Sequence, residues 1–187
     1  ADILGIPEAR RLMKIYGSPF PPENRKVLAL KGVSSEYAQR GEAMFTKYAR
    51  TLAELAKATP GNAAVFFPSY KYVEEVSNRM AGRIEPQNLL VESRWMTKGD
   101  RDDMLGRLRA RDEPKLLMAV QGGSLGEGID YEKNLLSVLV VAGMPLAPPN
   151  KEVLALRAHC VKRFGREKGD IYGYYGPAFN KVVQSAG

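Results

Sequence analysis

The stretch from Leu116 to Asn150 constrains this 187-residue chain more than any other. It opens with an apolar run, Leu116 to Val120, and passes into a glycine-rich loop, Gln121 to Gly128. Asp130, a second apolar run from Ser137 to Ala142, and Pro145, Pro148 and Pro149 complete it. Short apolar runs without alternation, bounded by Gly or Pro, read as strands buried on both faces. The loop leaves the carboxyl end of the first strand, where open α/β sheets bind their ligands. Gly122, Gly123, Gly126 and Gly128 permit positive φ and close backbone approach. Bare N–H groups in such a loop can line an anion-binding nest. A tight connection with no ligand uses the same glycines, but it needs none of Ser124, Glu127 or Asp130. Neither G-x-x-x-x-G-K-[ST] nor a G-x-G-x-x-G opening a helix occurs. The chain therefore has no self-sufficient nucleotide cradle of those kinds.

The rest of the chain alternates strand and helix patterns. Gly17 to Pro22 is a breaker cluster, so residues 1–24 read as an irregular lead-in and the domain as residues 25–187, beginning near Arg25. Lys26 to Leu30 reads as a short strand. Met44, Tyr48, Leu52 and Leu55 recur at helical spacing within 43–59, and Pro60-Gly61 ends that helix. Ala63 to Phe67 is a buried strand. Pro68-Ser69 opens a helix with Tyr72, Val73, Val76 and Met80 on one face. Asn88 to Val91 is another strand. Asp100 can cap a helix to about Ala110, with Met104, Leu105 and Leu108 inward. Helices over 152–164 and 177–185 follow, the second with Pro177 in its first turn. This alternation predicts an α/β fold with a mostly parallel sheet flanked by helices on both faces.

The chain is long enough for one ordinary domain. It is 44% hydrophobic and 26% charged, the balance of a globular domain. No apolar run approaches the roughly 18 residues of a membrane helix, so no membrane partner is expected. The lone Cys160 excludes an internal disulfide and an all-cysteine zinc or iron–sulfur site, and fits a reducing, intracellular setting. The lone His159 argues against a histidine triad or multi-His metal site. A net charge of +7 favours a polyanion partner, nucleic acid above all.

Several residues carry two readings. Ser69 can be a plain N-cap, or it can hold a phosphate with exposed amides and Lys71 at a helix N-terminus. Trp95, with Arg94, Lys98 and Arg101 around it, can stack on a single-stranded base or pack as a lid over the sheet edge. Arg101, Arg107, Arg109 and Arg111 sit among Asp100, Asp102, Asp103 and Asp112 and read as a self-paired face. Arg157, Lys162, Arg163, Arg166 and Lys168, opposed only by Glu167, read equally as a nucleic-acid patch or a solvated face. His159 and Cys160 read as structural.

The segment Gly122-Gly123-Ser124-Leu125-Gly126-Glu127-Gly128-Ile129-Asp130-Tyr131 resembles motif V of the XPD/Rad3 and DinG branch of superfamily 2 helicases, G-[GK]-x-x-[SG]-E-G-I-D-[FY]. Gly143-Met144-Pro145 stands at that family's following G-x-P. Phe66-Phe67-Pro68-Ser69-Tyr70 is similar to motif IV, F-F-x-S-Y, and Gln184 with Gly187 matches the start of motif VI, Q-x-x-G-R-x-x-R. The resemblance implies a RecA-like fold and the second motor domain of an XPD-like, ATP-dependent 5′→3′ DNA helicase acting in repair, cytoplasmic in a prokaryote and nuclear in a eukaryote. It implies that Ser69, Tyr70, Lys71, Gly122, Gly123 and Ser124 grip the single-stranded DNA, with Arg94, Trp95 and Lys98 beside them. Glu127, Gly128, Asp130, Gln184 and Gly187 would face ATP. Ile3-Leu4-Gly5 is similar to the segment after motif III, and the chain stops before the motif VI arginines. By this resemblance the first motor domain lies outside the chain, with its phosphate-binding lysine loop, its Mg2+-binding acidic box and the four cysteines of a 4Fe-4S cluster. ATP and Mg2+ would then sit between two lobes, and the isolated chain is expected to be inactive. The implied partners are single-stranded DNA, the first motor domain, and an activator or repair-complex subunit. A DinG-type helicase domain and a non-enzymatic docking module are the alternatives.

Overall fold

The computed structural model describes residues 3–17, 21, 23, 26–132 and 134–186. The chain divides into two compact units between Gly32 and Val33. The first unit is irregular where described, apart from short turns such as the 3₁₀ turn Glu8–Arg10. Lys26 to Leu30, expected as a strand, is not one: Val27 is 87% and Leu28 72% exposed. A short β-prone run with no neighbouring strand has nothing to take its backbone groups. Arg25, Ser18, Pro19, Phe20 and Pro22 lie outside the described residues, and with them the expected boundary and most of the breaker cluster.

The second unit is built on a four-stranded parallel sheet. Its strands are β1 (Ala63–Phe67), β2 (Leu89–Val91), β3 (Leu116–Val120) and β4 (Val138–Val141), in the order β2-β3-β1-β4. β1 and β3 are central and buried at every position, which is why both read as unbroken apolar runs. Side chains alternate across the sheet. Ala63, Val65 and Phe67 face α1 (Glu42–Ala58) and α2 (Tyr70–Ser77) through Tyr48, Leu52, Val73 and Val76. Ala64 and Phe66 face Leu105 and Leu108 of α3 (Lys98–Ala110), together with Leu125 and Leu135 from the chain after β3. This matches the α/β, parallel, two-faced architecture read from the pattern.

Two local expectations change. Asp100 does not cap α3; Thr97 does. Thr97 Oγ1 accepts from the Asp100 amide at 3.2 Å, while Asp100 Oδ2 accepts from the Thr97 amide at 2.8 Å. This is a reciprocal capping box with the acid at its third helical position. After α4 (Lys151–Phe164) the chain turns at Gly165 into a nearly continuous helical run: α5 (Arg166–Asp170), a π-helical turn Ile171–Tyr175, and α6 (Gly176–Ala186). The helix expected from Pro177 is only the end of this run. Its first half lies against α4 because Gly169 and Gly173 lack side chains. A Cβ at Gly173 would sit 2.8 Å from Arg157 Cα, and one at Gly169 would overlap Val161. Arg157 leaves the expected basic cluster, because Asp170 accepts from its Nε at 2.7 Å and its Nη2 at 3.2 Å. That bond holds the Asp170 carboxyl below its usual range.

Candidate functional site

β1 and β3 are neighbours at the centre of the sheet, yet their connections leave for opposite faces. α2, after β1, packs Val73 and Val76 on one face; the loop after β3 packs Leu125 on the other. Adjacent strands with diverging connections open a crevice at their carboxyl ends. The sequence motifs around Ser69 and Gly122 therefore meet at one edge.

A residue that the sequence reading passed over holds that edge together. Glu92 follows β2 and is 2% exposed. Its Oε2 accepts from the Val120 amide at 2.8 Å. Its Oε1 accepts from the Ser124 amide at 2.7 Å, from Ser124 Oγ at 3.0 Å and from Tyr70 Oη at 3.3 Å. One carboxylate thus joins the start of α2, the end of β3 and the glycine loop. Isolated from its partners, an acid directly after a three-residue strand looks like a surface residue. The available signal was Gly123. A Cβ there would lie 2.5 Å from Glu92 Oε1 and 2.8 Å from Oε2, so the loop needs glycine for space.

The four glycines do different things. Gly122 and Gly128 take positive φ, 77° and 71°. Gly126 lets the loop double back, since a Cβ there would sit 2.6 Å from the Val120 carbonyl oxygen. The amides that could have lined an anion nest are largely used inside the loop. Gly123 N–H donates to Val120 O, Ser124 N–H to Glu92, and the Gly126 and Glu127 amides to Gly123 O. Tyr131 closes the loop by donating to Leu125 O at 2.7 Å, and burial drives its hydroxyl pKa well up, helped by the Glu92 charge.

Ser69 caps α2, accepting from the Tyr72 amide at 3.4 Å. Tyr70 donates to Glu92 and lies under the Arg94 guanidinium, 5.5 Å from the ring centroid. Burial, then the Glu92 charge and hydrogen bond, raise its pKa; Arg94 opposes them. Ser124 Oγ also lies 3.8 Å from Met96 Sδ. Tyr70, Arg94, Gly123 and Ser124 thus form one contiguous patch, with Lys71, Trp95 and Lys98 exposed on its flanking residues. Trp95 is 85% exposed, so it is no lid over the sheet edge. Glu127, Gly128 and Asp130, later in the loop, are exposed. Lys181 of α6 and Glu127 both lie beside Gly122: a Cβ there would sit 3.1 Å from Glu127 Oε1 and 3.3 Å from Lys181 Nζ. Gln184, one turn on, is exposed; among the described residues no hydrogen bond joins it to Glu127 or Asp130. Gly187 lies outside the described residues.

Gln121 sits where β1, β3 and β4 end. Its Nε2 donates to Phe66 O at 3.2 Å and Gly143 O at 2.7 Å, and its buried Oε1 has no donor among the described residues. Among the described residues no group of three or more His, Cys, Asp or Glu side chains gathers for a metal ion. No described helix is long and apolar enough to cross a membrane. A depression of about 280 Å³ lined by Pro60, Asn62, Arg111 and Asn134 lies at the opposite, amino end of the strands, away from this patch.

Residues 52–187 match the helicase C-terminal domain family. The chain is 32% identical over 162 residues to the ATP-dependent DNA helicase chl1 of Aspergillus clavatus, covering 75% of this chain and 22% of that protein. It is 27% identical over 160 residues to the ATP-dependent DNA helicase XPD of Sulfolobus acidocaldarius, covering 83% and 27%. A solved XPD helicase structure superposes with a TM-score of 0.65 at 26% identity, covering 82% of this chain and 27% of that one. The chain spans about a quarter of the length of these relatives.

Proposed function

From the premise that this chain belongs to the helicase C-terminal domain family, we propose that it is the second motor lobe of an ATP-dependent 5′→3′ DNA helicase of the XPD type, acting in DNA repair. The observation that carries the reading is the charge at two helix starts. Lys71 lies in the first turn of α2, and Lys98 is the first residue of α3. A cation there opposes the helix dipole, so it does not serve the helix. A phosphate backbone crossing both N-termini would repay both cations. Between them stand Arg94 and the exposed indole of Trp95, a stacking platform among charges. With the Gly123 and Ser124 amides turned inward, the Gly122–Ser124 turn serves this grip as a rigid floor beside Tyr70, and Ser69 serves it by setting α2.

Further along the same loop, Glu127, Gly128 and Asp130, with Gln184 on α6 and Gly187 beyond the described residues, would face ATP. The donor set suits a shared site. It offers exposed carboxylates and a lysine, and among the described residues no cluster that could hold a metal ion; ATP and Mg2+ would take their remaining ligands from a first motor domain. The ligands of a 4Fe-4S cluster would also lie elsewhere in a parent chain, because Cys160 is the one cysteine of this sequence and such a cluster takes about four thiolates.

Fluorescence anisotropy of a labelled single-stranded oligonucleotide tests the reading. Binding should weaken steeply between 50 and 200 mM salt. Trp95→Ala should weaken it by roughly 1–3 kcal/mol, the size of one lost base stack, and Lys71→Ala should flatten the salt dependence. Salt-insensitive binding, or binding indifferent to both changes, would reject the grip and leave a protein-docking face as the alternative.

A further inference from the structure

We infer that Glu92 is a positioning residue that makes the nucleic-acid patch and the nucleotide-facing half of the glycine loop move as one body. The inference rests on the motor-lobe reading for its meaning, but its geometry is independent of it. Glu92 lies at the end of β2, two residues before Arg94 and three before Trp95. Its own amide donates to Met118 O at 2.8 Å, so its backbone is fixed to β3. Its carboxylate then reaches both ways: to Tyr70, next to Lys71, and to Val120 and Ser124, where the glycine loop begins. The loop passes directly over the same carboxylate, which it can do because Gly123 has no side chain to meet it. Three residues beyond Ser124 stands Glu127, and six beyond it Asp130.

The chemistry suits a coupling strut better than plain packing. All four contacts are donors directed at a charged acceptor, and such bonds are shorter and stronger than neutral ones. A buried carboxylate is costly wherever an apolar residue could fill the space. Here the carboxylate fixes the position of the loop relative to α2 and β3. The Ser124 amide and hydroxyl both donate to it, so any displacement of the Tyr70–Arg94 side that shifts Glu92 must shift the start of the loop. The strut acts through the loop and touches neither DNA nor nucleotide.

The test is hydrogen–deuterium exchange of peptides covering 93–98 and 121–130, with and without an oligothymidylate, in the wild type and Glu92→Gln. Glutamine keeps the size and polarity but turns an amide toward groups that themselves donate. In the wild type the oligonucleotide should slow exchange in both peptides. In Glu92→Gln, basal exchange of 121–130 should rise about tenfold or more, the scale of weakening bonds to a buried charged acceptor. The oligonucleotide should still protect 93–98 and no longer protect 121–130. Unchanged basal exchange of 121–130, or protection of both peptides in the variant, would overturn the inference. If the oligonucleotide protects nothing in the wild type, the DNA reading fails while basal exchange still judges Glu92. Should Glu92→Gln not fold, Ser124→Ala keeps the carboxylate and removes one donor. It should raise exchange of 121–130 severalfold and lessen the oligonucleotide's effect there; no change in either would overturn the inference.

Discussion

Two buried polar side chains knot the loops at opposite ends of one sheet, and they do so differently. At the amino end, Asn62 donates through Nδ2 to Leu108 O at 2.9 Å and Leu135 O at 3.1 Å, and its Oδ1 accepts from the Lys115 amide at 3.0 Å. It is neutral, and each of its contacts is with a backbone group. At the carboxyl end, Glu92 is charged, and two of its four contacts come from side chains that belong to the patch. A neutral amide satisfied by backbone makes a joint that never needs to sense anything. A carboxylate held by side-chain hydroxyls ties the fold to residues that a ligand can move.

The sharpest way to break the comparison is at Asn62. Asn62→Ala strands two buried carbonyls and a buried amide, each costing about 1–3 kcal/mol. The expected loss is about 3 kcal/mol, or roughly 10 °C in Tm by calorimetry. Oligonucleotide affinity per folded molecule should stay within about twofold, since the knot lies at the other end of the strands. A large affinity loss in a folded Asn62→Ala would mean that the two ends are not separable.

Gly123→Ala sharpens it from the other side. The new methyl would press on the Glu92 carboxylate, 2.5 Å from Oε1 and 2.9 Å from Cδ. The far end of a glutamate is ordinarily free to swing away, but this one is held by four donors. Overpacking of this kind costs about 1–3 kcal/mol. Denaturant titration should show a smaller loss than at Asn62, with oligonucleotide binding weakened as well. A Gly123→Ala protein of wild-type stability and binding would mean that Glu92 moves without consequence.

The difference between the ends also explains what was legible in the sequence. β1 and β3 were plain, because a strand buried on both faces has no alternation to misread. Gly122 to Tyr131 stood out because several rare features coincide there. Glu92 did not, since its importance comes from Tyr70, Val120 and Ser124, which only the folded sheet brings near. The anion nest was over-read: glycine composition suggests free amides, but where those amides point depends on a carboxylate from another strand. Lys26 to Leu30 failed for the reverse reason, having β propensity without a partner. The close packing of 166–175 on α4 was hidden in Gly169 and Gly173, four apart, which only becomes a pattern once that stretch is known to be helical. Arg157 counted as a free cation only while Asp170, thirteen residues on, was out of view.

The smallest expected effect concerns pH. Tyr70, Tyr72 and Tyr131 have pKa values raised above 10.0, and Tyr48 is pushed up to about 12, in each case mainly by burial. A folded-state pKa above the unfolded one means that the stability from these hydroxyls is fully present below pH 10 and is lost as pH rises toward the folded values. The protein should therefore unfold more easily from about pH 10 upward. Only Tyr70 and Tyr131 sense the charge of Glu92. Tyr70→Phe removes the 3.3 Å bond to Glu92, the longest of its four, and should cost about 1 kcal/mol or less at neutral pH. It should also flatten the alkaline slope, because one hydroxyl that resists ionising, first through burial and then through the Glu92 charge, is gone. Urea midpoints at pH 7 and pH 10.5 measure both effects. An unchanged alkaline slope in Tyr70→Phe would mean that neither burial nor the Glu92 charge holds the hydroxyl protonated, and that this end of the sheet is as electrically indifferent as the Asn62 end.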